Sequence, residues 1–162
     1  MTLIGGQRSL VLSTVAAVST ANLSVESLLG GKGVLQVRPR SALDWVAVIR
    51  RGIASAAADS LTKSIRLTQS ELATALGIPE RTLARRKREG LFNSEESAKL
   101  VRLARVVERA RDVFEDFEAS LNWLKSPNAA LSGATPLSLL DTDIGAESVL
   151  DTLGRIEHGV FA

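Results

Sequence analysis

Cysteine is absent from all 162 residues, which removes disulfides, thiolate metal sites and a cysteine nucleophile in one step. The single histidine, His158, argues against a zinc centre and against a Ser-His-Asp arrangement. Aromatic residues make up only 4% of the chain, so any core must be built from Leu, Val, Ile and Ala. At helical spacing those residues favour packed helices over an aromatic-rich β-sandwich. Long apolar runs are missing as well. The N-terminal stretch MTLIGGQRSLVLSTVAAVSTAN faintly resembles a secretory leader, but Ser and Thr interrupt it and no span reaches the ~20 apolar residues of a membrane helix. A cytoplasmic protein without membrane contact is expected. LLGGKGV is no phosphate loop, because Gly33 follows Lys32 where Ser or Thr is required and the first glycine of that motif is missing. It reads as a turn. With no Cys, one His and no phosphate loop there is no convergent catalytic set, so neither an enzyme nor a cofactor is expected.

What is present describes a folded chain with two electrostatic halves. Hydrophobic residues at 45% and charged ones at 23% mark a globular protein able to bury a core. Residues 1–111 hold 18 Lys and Arg against 9 Asp and Glu, a net of +9, whereas residues 112–162 hold 2 against 9, a net of −7. The basic part suits a polyanion and the acidic part suits something else. We divide the chain at this sign change: an N-terminal extension over 1–40, a first domain over 41–111 and a second over 112–162.

Residues 1–40 are weakly patterned, with Gly30, Gly31, Gly33 and Pro39 as breakers, and VLQV at 34–37 reads as a short strand or extended arm. From residue 42 a helical period sets in, with Leu43, Val46, Ile49 and Ile53 as its apolar face, and a second helix is expected over about 54–65. Thr68 and Glu71 then form a capping box, in which each side chain accepts from the backbone N–H of the other residue. Leu72, Ala73 and Leu76 give the inner face of the helix that starts there. Gly77 closes it in the left-handed conformation, and Pro79 stands near the first position of the next helix.

Residues 69–88 therefore read as helix, tight turn, helix. Ala73, Gly77 and Leu83 fill the positions such a motif constrains most: a small residue where the helices cross, a glycine in the turn, and an apolar plug on the second helix. If Leu83 faces inward, Arg81, Arg85 and Arg88 (i, i+4, i+7) share the opposite face, flanked by Arg86 and Lys87. A helix presenting that face, with its positive N-terminal end, suits DNA phosphates and guanine edges. Gln69 and Thr82 complete the DNA-binding set. Arg86 stands where many helix-turn-helix units bury a second aliphatic residue, which predicts a more exposed end for this helix.

Asn93 is the expected cap of a following helix, with Glu95 and Glu96 against its positive end. Leu100, Leu103, Val107, Ala110, Phe114, Phe117, Leu121 and Leu124 then continue a helical seam. It reads either as a dimer seam or, preferably, as internal packing of one or two helices, with a break around 112–118. LKSPNAALSGATP is a turn-rich loop. The stretch from Asp141 to Asp143 is expected to cap a last helix whose apolar face is Val149, Leu150, Leu153 and Ile156 and whose end is Gly159. Val160 and Phe161 need a surface to pack on.

The segments LGIPERTLARRKREG, LFNSEESAKLVRLARV and WLKSPNAALSGATPLSLLDTDIGAESVLDTLGRIEHGVF resemble the Xre/MbcA/ParS antitoxins that pair with RES-domain toxins. The resemblance runs from about residue 48 to the end and leaves residues 1–40 outside. It implies an all-α fold, an Xre-like helix-turn-helix domain followed by a small helical toxin-binding domain. It further implies that the chain binds the operator of its own operon and occludes the active site of an NAD-consuming toxin, as a homodimer and as a hetero-oligomer with that toxin. Carried over by position, the signature loop gives Trp123, Pro127, Asn128, Leu131 and Gly133 as toxin-binding residues. The terminal motif gives Arg155, His158, Gly159, Val160 and Phe161. Trp123 and Leu137 read equally well as core, and His158 reads first as a cap or surface residue. The competing expectation is a stand-alone repressor whose C-terminal half only dimerises.

Overall fold

The computed structural model describes residues 24–159; residues 1–23, which contain the leader-like stretch, and the tail Val160, Phe161 and Ala162 lie outside the described residues. Among the described residues every regular element is helical: α1 (Val25–Leu28), α2 (Lys32–Leu35), α3 (Ala42–Arg51), α4 (Ala56–Ile65), α5 (Gln69–Leu76), α6 (Glu80–Glu89), α7 (Ser94–Phe114), α8 (Phe117–Lys125), two 3₁₀ turns η1 (Ala129–Leu131) and η2 (Pro136–Leu139), and α9 (Asp143–Glu157). None of these helices is long and apolar enough to cross a membrane. The all-α expectation holds.

The long helix α7 is the axle: α1, α3, α5, α8 and α9 all pack against it. Its start is set locally. Asn93 Oδ1 accepts from the Glu96 N–H at 2.8 Å while the Glu96 carboxylate accepts from the Asn93 N–H at 3.0 Å, a reciprocal cap that satisfies two orphan donors. Leu100, Leu103, Val107 and Ala110 are buried along it. It ends at Glu115, a non-glycine residue in the left-handed conformation with φ 56°. α8 then folds back under an Asp116 cap, and Leu121 and Leu124 are buried against the same core. The apolar seam is thus an intramolecular helical hairpin, broken inside the expected 112–118 window, with Phe114 and Phe117 half-buried at the bend. The boundary expected at 111–112 falls within α7, one turn before its end.

Three expectations need correction. VLQV forms no strand: α2 ends at Leu35, which is buried, and Gln36 closes it in the left-handed conformation. Together with Val25, Leu28 and Leu29 it belongs to the core cluster, so residues 25–35 join the fold instead of standing off from it. In α3 the buried residue is Val48, with Trp45 and Ile49 half-buried, whereas Leu43 and Val46 point into solvent. Ile53 is buried but belongs to the segment after Gly52 ends the helix. At α9 the cap falls inside the expected 141–143 stretch, on Thr142, whose Oγ1 accepts from the Gly145 N–H at 3.0 Å. Val149 and Leu153 are buried there as expected, Ile156 is half-buried, and Leu150 is exposed while Ala146 and Thr152 take inward positions. The helix ends at His158, one residue before Gly159.

Arginines on the basic half staple the acidic C-terminal part to it. Arg66 pairs with Glu118, Arg102 with Asp143, and Arg109 with Glu157. Arg102 Nε also donates to the Leu140 carbonyl at 3.1 Å, and Lys125 Nζ to the Arg66 carbonyl at 3.0 Å. Between them Gly77, the turn of the α5–α6 pair, sits against Asp141 so closely that a Cβ there would lie 2.9 Å from the Asp141 Cβ. That approach, with φ +66°, is why the position takes glycine.

Candidate nucleic-acid interface

The motif over residues 68–90 is assembled by local chemistry first. The Thr68 N–H donates to Glu71 Oε2 at 2.7 Å and the Glu71 N–H donates to Thr68 Oγ1 at 3.1 Å, which starts α5. Leu72, Ala73, Ala75 and Leu76 are buried on its inner side. Gly77 ends it in the left-handed conformation, and Pro79 becomes the N-cap of α6, one position earlier than a first-turn proline. Pro79 offers no side-chain acceptor, so the first turn of α6 carries no side-chain cap.

α6 packs on α5, and Leu83 is its one buried residue, 1% exposed; Ala73 on α5 is buried as well, at 3%. Burying Leu83 decides where the charges go. Arg81, Arg85 and Arg88 are exposed, and among the described residues Arg81 and Arg88 have no ion-pair partner. Arg85 has only a loose contact with Glu89, Nε to Oε1 at 3.8 Å. Gln69, at the opening of α5, is exposed and Thr82 is half-buried.

Arg86 and Lys87 behave differently from the other three. Arg86 Nε donates to Glu96 at 2.8 and 3.0 Å and its Nη1 to Glu89 at 2.9 Å, which leaves its side chain 21% exposed. These bonds hold its guanidinium above its ordinary value, through Glu89 first and then Glu96. Lys87 Nζ lies 2.6 Å from Asp59 of α4. The basic helix is therefore split by function of side chain: one pair ties α6 to α4 and α7, and one triad is left facing out. Arg86 does occupy the position where an aliphatic plug is common, but it is held inward by a buried carboxylate and not left more exposed as expected. Sequence reading recognises Glu96 as a cap and misses it as the partner of Arg86. A signal for the pair exists, since a Glu at the third position of a helix right after a basic one lies close to that helix's end.

The exit from α6 is strapped down. Gly90 ends it with φ 86°, its carbonyl accepts from the Ser55 N–H at 3.0 Å, and the Phe92 N–H donates to the Ile53 carbonyl at 2.9 Å. Phe92, 1% exposed, is driven into the core there. Among the described residues no group of His, Asp and Glu could hold a metal.

The second set of expected site residues gathers around α9, on which both 3₁₀ turns pack. Pro127 and Gly133 are exposed on the loop, and the half-buried Asn128 shapes it: its Oδ1 accepts from the Ala130 N–H at 2.8 Å and its carbonyl from the Gly133 N–H at 2.9 Å. Leu131 is buried, and Trp123 is half-buried with its ring 5.8 Å from that of Phe114, centroid to centroid. Arg155, His158 and Gly159 are exposed at the end of α9.

Residues 44–105 match the family described as the antitoxin Xre-like helix-turn-helix domain, and residues 109–159 match the antitoxin Xre/MbcA/ParS C-terminal toxin-binding domain. An Antitoxin Xre of Yersinia enterocolitica is 38% identical over 116 residues, which cover 70% of this chain and 78% of that protein. An Antitoxin Xre of Photorhabdus laumondii is 33% identical over 118 residues, covering 72% and 80%. A Prs ADP-ribosylating antitoxin of a Sphingobium species, strain YBL2, is 28% identical over 132 residues, covering 75% and 83%. With both halves of the chain matched in order and a buried Leu83 at the crossing of a helix-turn-helix, this protein belongs to the Xre/MbcA/ParS family of antitoxins.

Proposed function

We propose that this antitoxin represses its own operon by laying α6 in the major groove of operator DNA, and that its C-terminal domain neutralises a cognate RES-domain toxin by covering the cleft in which that toxin consumes NAD. The observation that carries the DNA arm is the outward triad Arg81, Arg85 and Arg88 on a helix turned by the buried Leu83. Guanidinium groups on such a face can pair with phosphates or with guanine O6 and N7. Gln69 and Thr82 open the two helices and are placed to contact the backbone, while Arg86 and Lys87 hold α6 in place.

For the toxin arm, the support is the match of residues 109–159 to a toxin-binding domain and the net charge of −7 over 112–162. An acidic domain suits a partner whose cleft is basic enough to receive a dinucleotide pyrophosphate, and the attraction speeds association. The Sphingobium relative's name joins an antitoxin with ADP-ribosylation, a reaction that splits NAD. In this reading Pro127, Asn128, Gly133, Arg155, His158 and Gly159 meet the toxin, Leu131 and Trp123 support the loop from beneath, and Val160 and Phe161 extend the contact. The antitoxin acts in the cytoplasm, as a homodimer on DNA and as a hetero-oligomer with its toxin.

Co-expression with the product of the adjacent gene tests the toxin arm, and a gel shift with the DNA upstream of the operon tests the repressor arm. A stable complex that preserves cellular NAD, together with a specific shift, is the expected result. A neighbouring product that is neither bound nor toxic would overturn the first arm, and full operator affinity in an Arg81→Ala, Arg85→Ala, Arg88→Ala variant would overturn the second.

A further inference from the structure

We propose that the face formed by α3 and α7 is where two copies of this chain meet, an inference that rests on the homodimer reading above and gives it a surface. In α3, helix quality and burial are mismatched. The helix has a complete capping box: the Asp44 carboxylate accepts from the Arg40 and Ser41 N–H groups at 2.8 and 3.1 Å, and Ser41 Oγ accepts from the Asp44 N–H at 3.1 Å. Its first turn is therefore firmly held. Yet that turn presents Leu43, 79% exposed, with Val46 also exposed one turn on. A lone exposed leucine would be ordinary, but Leu43 continues through Val46 into an apolar groove, and a contiguous apolar patch of this kind marks an interaction surface.

Beside Leu43 runs a groove of about 480 Å³ between α3 and α7, lined by the apolar Trp45, Val46, Ile49 and Val101 and by the charged Arg105 and Glu108 of α7. Arg40 adds a further positive charge at the α3 end. An exposed leucine beside a groove is the shape a two-fold contact needs, because Leu43 of each copy can enter the groove of the other. The groove's charges fit the same operation. Arg105 and Glu108 have no ion-pair partner among the described residues, although Lys99, Arg102, Arg109 and Arg111 of the same helix do. Across a two-fold axis Arg105 of one copy meets Glu108 of the other, and both pairs form at once. Unlike a foreign partner, a second copy is bound to carry the complementary charges.

The position relative to the DNA-reading helix is compatible. At 3.6 residues per turn, Val101, Arg105 and Glu108 lie roughly 120–180° around α7 from Glu96, which anchors α6. Pairing through the far flank of α7 leaves both α6 helices uncovered and well separated, as a reader of two half-sites requires.

Sedimentation or light scattering on the full chain tests this, with circular dichroism to check that variants fold. The wild type is expected to be a dimer. Leu43→Asp, at a position exposed in the single chain, is expected to weaken dimerisation by roughly 30-fold or more with an unchanged helical spectrum. Arg105→Glu and Glu108→Arg are each expected to weaken it, and the double swap to restore it, which a merely structural effect would not do. If the wild type is monomeric, the homodimer reading itself fails. If it is dimeric and Leu43→Asp leaves it so, that reading stands and the α3–α7 surface is overturned. A dimer that survives Leu43→Asp while toxin binding is lost assigns this face to the toxin and likewise overturns the proposal.

Discussion

Glu96 Oε2 accepts hydrogen bonds from Arg86 Nε at 2.8 Å and from the Asn93 N–H at 3.0 Å, so one buried carboxylate closes the cap of α7 and holds the last turn of α6. Helix α6 is thus fixed at two points by different means, an apolar plug at Leu83 and an ion pair at Arg86. Removing Glu96 would leave a half-buried guanidinium with Glu89 alone and an N-terminal N–H without its acceptor.

That pair should carry measurable stability. Glu96→Gln is expected to cost about 1–3 kcal/mol, because it takes the charge from a buried carboxylate that accepts from Arg86 and from the Asn93 N–H at once, and Arg86→Ala is expected to act in the same direction. In a chain of this length that lowers Tm by roughly 3–10 °C. Calorimetry on the two variants checks it, and a Glu96→Gln protein that melts with the wild type would show the pair to be idle.

Arg86 and the outward triad should separate in a salt titration. Each phosphate that the triad ceases to neutralise lowers the slope of log affinity against log salt by about 0.9. Alanine at Arg81, Arg85 or Arg88 is expected to flatten the slope wherever that residue meets a phosphate. Where it reads a base instead, affinity falls by about 1–3 kcal/mol for the cognate operator alone. Arg86→Ala is expected to leave the slope unchanged under conditions where it stays folded. A slope that drops with Arg86→Ala and stays put with all three triad variants would reverse the assignment of roles.

The features legible in the sequence are those fixed by near neighbours. Thr68 with Glu71, Asn93 with Glu96 and Gly77 in its turn are local in chain and local in space, so residue type and spacing suffice. The bend at Glu115 is visible because the charge pattern changes there. What fails depends on distant partners. The apolar period of α3 points to Leu43 and Val46 as core, but periodicity says only that a helix has an apolar side, not whether that side meets its own chain. The stretch 141–143 shows that a cap lies there, but not that Asp143 is the first helical residue and pairs with Arg102 of α7. Arg86 groups with its exposed neighbours in the sequence, since nothing in α6 itself reveals a carboxylate on another helix.

Acid should loosen the attachment of the C-terminal part. Arg66 donates to the Glu118 carboxylate and Arg109 to that of Glu157, and these hydrogen bonds hold both carboxyls below their ordinary range. A carboxyl depressed in the folded state contributes stability that is complete above its unfolded value and is lost as pH falls through the folded one. Thermal stability is therefore expected to decline from roughly pH 5 downward. Asp44, lowered chiefly by the Arg40 N–H, adds to the same decline. A Glu118→Gln, Glu157→Gln variant should show a flatter but not flat profile. An identical profile would mean that the two pairs are too solvated to matter.

The close approach of the helix-turn-helix to the C-terminal domain at Gly77 is directly testable. A Cβ on Gly77 would meet the Asp141 Cβ at 2.9 Å and the Asp141 carbonyl oxygen at 3.3 Å, and the residue sits at φ +66°. Gly77→Ala therefore faces two separate penalties, a left-handed conformation costing about 1–2 kcal/mol and a clash with atoms next to the backbone that cannot swing away. A double-mutant cycle with Asp141→Gly separates them, since removing the Asp141 Cβ relieves the clash and leaves the conformational cost. The single Gly77→Ala variant is expected to melt lower and to bind operator more weakly, because this turn sets the angle between α5 and α6. The double variant should recover part of the stability lost. Strict additivity of the two substitutions would mean that the domains do not press on each other at Gly77, and that the turn takes glycine for its backbone angle alone.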